Sequence, residues 1–217
     1  MVVRRTTALP GELAQAPLRT VRAETASATY AHPGPELARL AARGVLHRVA
    51  TGYYVVVPQD MVGRNWLPEL EATAAGIAAA IYRPENAILM GISAARALGA
   101  IPRALATAIV AVPKQHRPIN LVDRTAVIQF VKRDTDTLDA ERVQTQLGPA
   151  LVTTPEQTTL DLAHRPQLGD AEVDIPGAVT ALYNRSDRER MRSIAAQQRL
   201  IASLHRAASW AGALDGQ

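Results

Sequence analysis

A helix that stops at a glycine and runs straight into a hairpin is the feature that most narrows the folds open to this chain. Pro33 to Arg43 places Leu37, Leu40 and Ala41 on one helical stripe. Gly34 and Pro35 suit its N-terminus, and Glu36 complements the dipole. Gly44 stops the helix. Val45 to Ala50 and Tyr53 to Val57 are two β-prone runs around the turn Thr51-Gly52, and Pro58 ends the second. A helix passing directly into a short hairpin is the core of a winged helix-turn-helix, in which the helix enters the major groove and the hairpin lies along the backbone. Leu9 to Ala16 and Pro17 to Thr29 are expected to supply the earlier helices.

Charge placement bears on the same segment. The net charge of the 217 residues is +4, and residues 1–58 hold seven Arg against three Glu, so the remainder is neutral. A local excess of Arg facing a polyanion gains affinity by releasing condensed counterions, which favours nucleic acid as partner of this segment. The alternative is a solvated basic face. Arg39 and Arg43 are four apart and share a helix face opposite Leu37 and Leu40. They are the candidates for base edges or phosphates. His47, Arg48 and Thr51 at the wing are the candidates for the sugar-phosphate backbone, and Tyr53, Arg4 and Arg5 complete the expected DNA-binding set.

Length supports two domains: a winged helix over 1–60, a linker over 61–68, and a mixed α/β domain over 69–217 with helices at its C-terminal end, α+β overall. The second domain reads as helix Glu69 to Tyr82, apolar segment Ala87 to Met90, helix Ser93 to Leu98, strands Ala108 to Val112 and Ala126 to Arg133, and helix Glu156 to Ala163. A helix from Ala178 follows. One amphipathic helix from Asp187 to about Ala208 closes the chain, with Met191, Ile194, Ile201 and Leu204 inward. The apolar run Ala72 to Tyr82 is too short to span a bilayer and reads as a buried helix. No signal peptide is read at Met1 to Pro10, and the absence of cysteine removes thiolate and Cys-metal chemistry, which fits a reducing cytoplasm.

Chemistry-bearing patterns are sparse. Asp170, Glu172 and Asp174 alternate and would share one face of a strand, but no Lys follows and the flanking Gly169 and Pro176 suit a turn. Asp161 sits on a helix that Thr154 could cap; it reads as pairing locally with His164 or Arg165, against a partner-facing carboxylate. Ser93 follows a glycine but lacks the second glycine of a nucleophile elbow, and reads as a helix N-cap. No cofactor or metal site and no enzymatic activity are expected. The readings left open are a regulator whose C-terminal domain senses a ligand, and a metal-dependent enzyme with a DNA-targeting module.

Three stretches, Leu40 to Val49 with Gly52-Tyr53-Tyr54, Gly91 to Gly99, and Thr154 to Ala163, resemble together the AbiEi-type antitoxins of bacterial toxin-antitoxin systems, including mycobacterial relatives. The resemblance implies a winged helix that represses its own operon through inverted repeats in operator DNA. It also implies a C-terminal domain that neutralises a nucleotidyltransferase-like toxin.

Overall fold

Short N-terminal elements build one small sheet. The computed structural model describes residues 10–212, so Arg4 and Arg5 lie outside the described residues. Helix α1 (Gly11–Ala14), strand β1 (Thr20–Arg22) and a 3-10 turn at Thr25–Ala28 lead to α2 (Pro33–Ala42), β2 (Leu46–Ala50) and β3 (Tyr53–Val56). The strands pair antiparallel in the order β1-β3-β2. The helix-into-hairpin order expected of a winged helix-turn-helix is present, with a single-turn first helix. Gly44 lies at φ +71°, Val45 N–H donates to Leu40 O and Gly44 N–H to Ala41 O, a Schellman end that turns α2 into β2. The helix expected across Pro17 to Thr29 is instead β1 and the 3-10 turn, because Thr20 to Arg22 find ladder partners at Tyr53 to Val55, more than thirty positions away.

The small sheet is covered on both faces. Val21, Tyr54, Val56 and Leu46 pack with Leu37 and Leu40 of α2. Tyr53, Val55, Val49 and Ala50 face the other way. Two-sided burial explains why Tyr53 to Val57 reads as a continuous apolar run rather than an alternating one.

The rest of the chain forms a six-stranded mixed sheet with helices on both faces. Helix α3 (Leu70–Tyr82) leads to β4 (Ile88–Leu89), α4 (Gly91–Ala97), β5 (Thr107–Val112), β6 (Ile119–Asn120), β7 (Val127–Lys132), β8 (Ala140–Thr145) and β9 (Gly148–Thr153). Helices α5 (Pro155–His164), α6 (Ile175–Arg185), α7 (Arg188–Gln197) and α8 (Ile201–Trp210) follow. The strand order is β6-β7-β5-β4-β9-β8, with β5 parallel to β7 and β4 parallel to β9. In β5, Ala108, Val110 and Val112 face α3, whereas Ile109 and Ala111 face the helices α4 to α8. No strand is expected over residues 140–153, yet β8 and β9 form an antiparallel pair there, β8 being a polar strand at the sheet edge that its ladder to β9 holds in place.

One expected helix is two. α7 ends where Arg199 adopts φ +57°, with Leu200 N–H donating to Ala195 O and Arg199 N–H to Ala196 O. This is the same Schellman end as at Gly44, with an arginine where glycine would announce it. Restarting the helix changes its phase, so Ile201, expected inward, is 45% exposed.

Helix α3 lies between the two sheets. Every residue from Leu70 to Ala79 is buried, as befits a helix of mostly small apolar side chains, with Glu71 and Thr73 as its polar exceptions. Its alanines and Gly76 let β1 approach closely: a methyl group at position 76 would come within 2.1 Å of Thr20 Oγ1. Thr20 is itself held, its hydroxyl donating to Leu18 O at 2.9 Å. Val122 N–H, in the loop between β6 and β7, donates to Val49 O of β2 at 2.9 Å. Gly76→Ala is expected to destabilise by about 1–3 kcal/mol through overpacking, despite the roughly 1 kcal/mol advantage of Ala in a helix. Adding Thr20→Ala should recover part of that loss, and urea denaturation of the two single variants and the double variant measures the coupling.

Candidate nucleic-acid interface and buried polar cluster

Four of the candidate DNA contacts are exposed on the winged helix. Arg39 and Arg43 stand on the side of α2 away from buried Leu37 and Leu40, and Arg43 occupies the C-cap. Arg48, two positions from Leu46 on β2, lies by alternation on the sheet face that α2 covers, and its side chain reaches solvent. Thr51 is exposed at the tip of the hairpin beside Gly52, whose φ of +82° makes the turn. Arg39 is held by Glu36 of the same helix, Nη2 and Nε lying 2.6 and 3.0 Å from Oε2. Such an exposed pair is worth about 0.2–1 kcal/mol, so it orients Arg39 without committing it.

His47 and Tyr53 point the opposite way. The pleat that sends Leu46 toward α2 sends His47 toward the larger domain, where its Nε2 lies 2.8 Å from Asp123 Oδ2. Trp66 meets the imidazole edge to face, ring centroids 6.0 Å apart. Arg124 closes the group, donating from Nε and Nη2 to the two oxygens of Asp123 at 3.1 and 3.0 Å. Burial would raise the Asp123 carboxyl, but Arg124 and His47 outweigh it and hold it below its ordinary range. Tyr53 is buried against α3, and that burial lifts its phenol above the usual value against the opposing charge of Arg22. The structure therefore separates the wing candidates into an outer set, Arg48 and Thr51, and an inner set at the domain seam.

A second polar group is buried inside the larger domain. Asp161 Oδ1 accepts from Arg133 Nη1, at the end of β7, and from Gln157 Nε2, each at 3.1 Å. Gln198, at the α7 end, accepts from Arg133 Nη2 and Gln157 Nε2 at 3.0 Å each. Asp161 Oδ2 is buried without a hydrogen-bond partner. Burial pushes the Asp161 carboxyl up, and Arg133 opposes it. The expected pairing with His164 or Arg165 is replaced by this long-range one, and the buried carboxylate is no partner-facing group. Thr154 caps α5 as expected, its Oγ1 accepting from Gln157 N–H at 3.3 Å while its hydroxyl donates to Asp139 at 2.6 Å.

The remaining sequence candidates are structural. Ser93 lies in the first turn of α4, whose cap is Met90, and its buried Oγ accepts from Ile109 N–H at 2.7 Å, tying the helix to β5. Glu172 to Asp174 form a 3-10 turn, as the flanking Gly169 and Pro176 suit, and Asp174 is paired with Arg103 at 2.5 Å. Among the described residues no group of three or more His, Cys, Asp or Glu is placed to hold a metal ion, and no helix is long and apolar enough to cross a membrane.

The family model of the AbiEi antitoxin C-terminal domain matches residues 86–210, which holds the Asp161 cluster, α4 and the helical end. The chain belongs to the AbiEi antitoxin family. Among solved structures, the crystal structure of the RV2827C protein from Mycobacterium tuberculosis is similar at a TM-score of 0.59 and 18% identity, covering 93% of this chain and 74% of that one. It shares the fold. No curated protein matches the chain. Two of the three stretches that carry the resemblance in sequence, Gly91 to Gly99 and Thr154 to Ala163, fall inside the matched AbiEi region. In this AbiEi antitoxin the first holds Ser93 against β5, and the second carries the buried cluster around Asp161. Sequence reasoning missed Arg133, Gln198 and Asp123 because each acts through a partner far away in the chain, with no local spacing to mark it.

Removing Arg133 would strand a buried carboxylate, so Arg133→Ala is expected to cost about 3–5 kcal/mol, read by chemical denaturation. Asp123 titrates lower in the folded chain than in the unfolded one. Its contribution is therefore present above the ordinary carboxylate range and lost as pH falls through the folded value. Thermal midpoints followed on the acid side should fall with pH in the native chain, and less steeply in Asp123→Asn.

Proposed function

We propose that this AbiEi-family antitoxin binds operator DNA through the outer face of its winged helix, with α2 in the major groove and the hairpin tip along the backbone, and so represses its own operon. The observation that carries the reading is the exposed set Arg39, Arg43, Arg48 and Thr51, displayed by the α2-to-hairpin unit in the part of the chain that holds the Arg excess. Arginines on a helix facing the groove read guanine edges or clamp phosphates, and a basic hairpin tip adds backbone contacts. A recognition unit repeated by two copies of the chain matches an operator built as inverted repeats. His47 and Tyr53 act in this reading as supports, holding the wing against the larger domain.

The larger domain, in the same reading, counteracts a nucleotidyltransferase-like toxin as a binding partner and performs no catalysis of its own. Co-expression with a nucleotidyltransferase encoded beside it should relieve that protein's toxicity in a growth assay. Continued toxicity would remove the assignment of the toxin class while leaving the DNA reading intact.

In gel-shift titrations on the promoter of its own gene, Arg39→Ala and Arg43→Ala should each cost roughly 1–3 kcal/mol where the arginine reads a base. Where it contacts only phosphate, the salt dependence should shallow by about one unit. Glu36→Gln should act in the other direction. It releases Arg39 and removes a negative charge from the phosphate-facing surface, so binding should tighten several-fold at low salt. Unchanged affinity in all three variants would remove α2 as the recognition helix.

A further inference from the structure

Glu71 is a buried carboxylate that none of the features above uses. It sits in the first turn of α3, is 8% exposed, and its Oε1 has no hydrogen-bond partner. The nearest cation, Arg96, keeps its Nε 3.9 Å away, beyond hydrogen-bond reach, because its Nη1 donates instead to the carbonyls of Ile101 and Pro102 at 3.3 and 3.1 Å. Glu71 lines a cleft of about 210 Å³, together with Glu69, Arg96 and the β8 residues Val143, Gln144 and Thr145.

The composition of the cleft narrows its occupant. Two carboxylates face one guanidinium, leaving an excess of negative charge. The Gln144 amide donates from Nε2 to Thr145 O, which leaves its Oε1 as an acceptor at the cleft, and the Thr145 hydroxyl is spent on Gly148 O. What Glu71 Oε1 lacks is a donor within hydrogen-bond reach. Pockets for drug-sized ligands run to roughly 300–1,000 Å³, so this one is too small for a nucleotide. With only two carboxylates and an arginine beside them, the donor set does not suit a divalent cation, which takes six or more oxygen ligands for calcium or near-octahedral geometry for magnesium.

We propose that this cleft binds a compact organic cation, an ammonium or guanidinium head that donates to Glu71 Oε1 and is balanced by Glu69. Burial lifts the Glu71 carboxyl above its ordinary value against its own backbone N–H and the charge of Arg96, and the incoming cation would supply what desolvation removed. The same head could arrive on a free amine or on a basic side chain of another protein.

The test is an amide chemical-shift titration of the full chain with putrescine, agmatine and N-acetylargininamide, a capped arginine, in parallel with the Glu71→Gln variant. Removing a buried charge leaves the site's shape unchanged, so the variant should fold, and its spectrum away from the cleft confirms that. Saturable shifts confined to residues 69–72, 96–97 and 143–145, with the dissociation constant raised about tenfold or more in Glu71→Gln, support the site. Binding of putrescine or agmatine alone assigns a free amine. Binding of the capped arginine alone assigns a protein side chain. Absence of saturable shifts with all three probes, or equal binding by the variant, overturns the proposal.

Discussion

Both sheets of this protein rest on one helix of small side chains. Because α3 is built from alanines, a glycine and few larger residues, the winged helix and the larger domain approach it from opposite sides, and a single core runs through it from Val55 to Val110. Alanine gives little apolar area per residue, so the stabilisation comes from the larger residues of the two sheets that the thin helix lets close in. The linker read at 61–68 thus joins two parts whose cores are continuous. The left-handed residues Leu18 and Arg19, at φ of +48° and +52°, are the strain accepted to seat Thr20 beside Gly76.

The second shared device is the seam formed by His47, Asp123, Arg124 and Trp66. It satisfies the wing's inward polar side chain and adds the backbone bond from Val122 to Val49. Together with α3 it leaves the outer face of the winged helix, with Arg39, Arg43, Arg48 and Thr51, as the surface turned to solvent.

Much of the fold was legible because its signals are local. Gly44 marked the end of α2, Thr51-Gly52 marked the hairpin, and the mostly apolar residues of α3 and β5 marked elements covered on both sides. Where the signal was not local it failed. β1 and β8 are strands by virtue of partners elsewhere in the chain. Arg199 performs a glycine's task and so hid the end of α7. At the candidate interface, helix spacing was enough to pair Arg39 with Arg43. For the wing, reading charge without pleat placed His47 and Tyr53 outward, although a period of two sends them to the face opposite Leu46 and Tyr54.

The His47 seam gives the loop between β6 and β7 a mechanical hold on the wing. Tilting the wing would break the His47–Asp123 contact and the Val122-to-Val49 hydrogen bond, so its attitude is tied to the larger domain. Any ligand that favours one geometry of residues 121–124 works against the same spring as one that favours one geometry of the hairpin. Were two such ligands to exist, any coupling between them through the seam would be reciprocal.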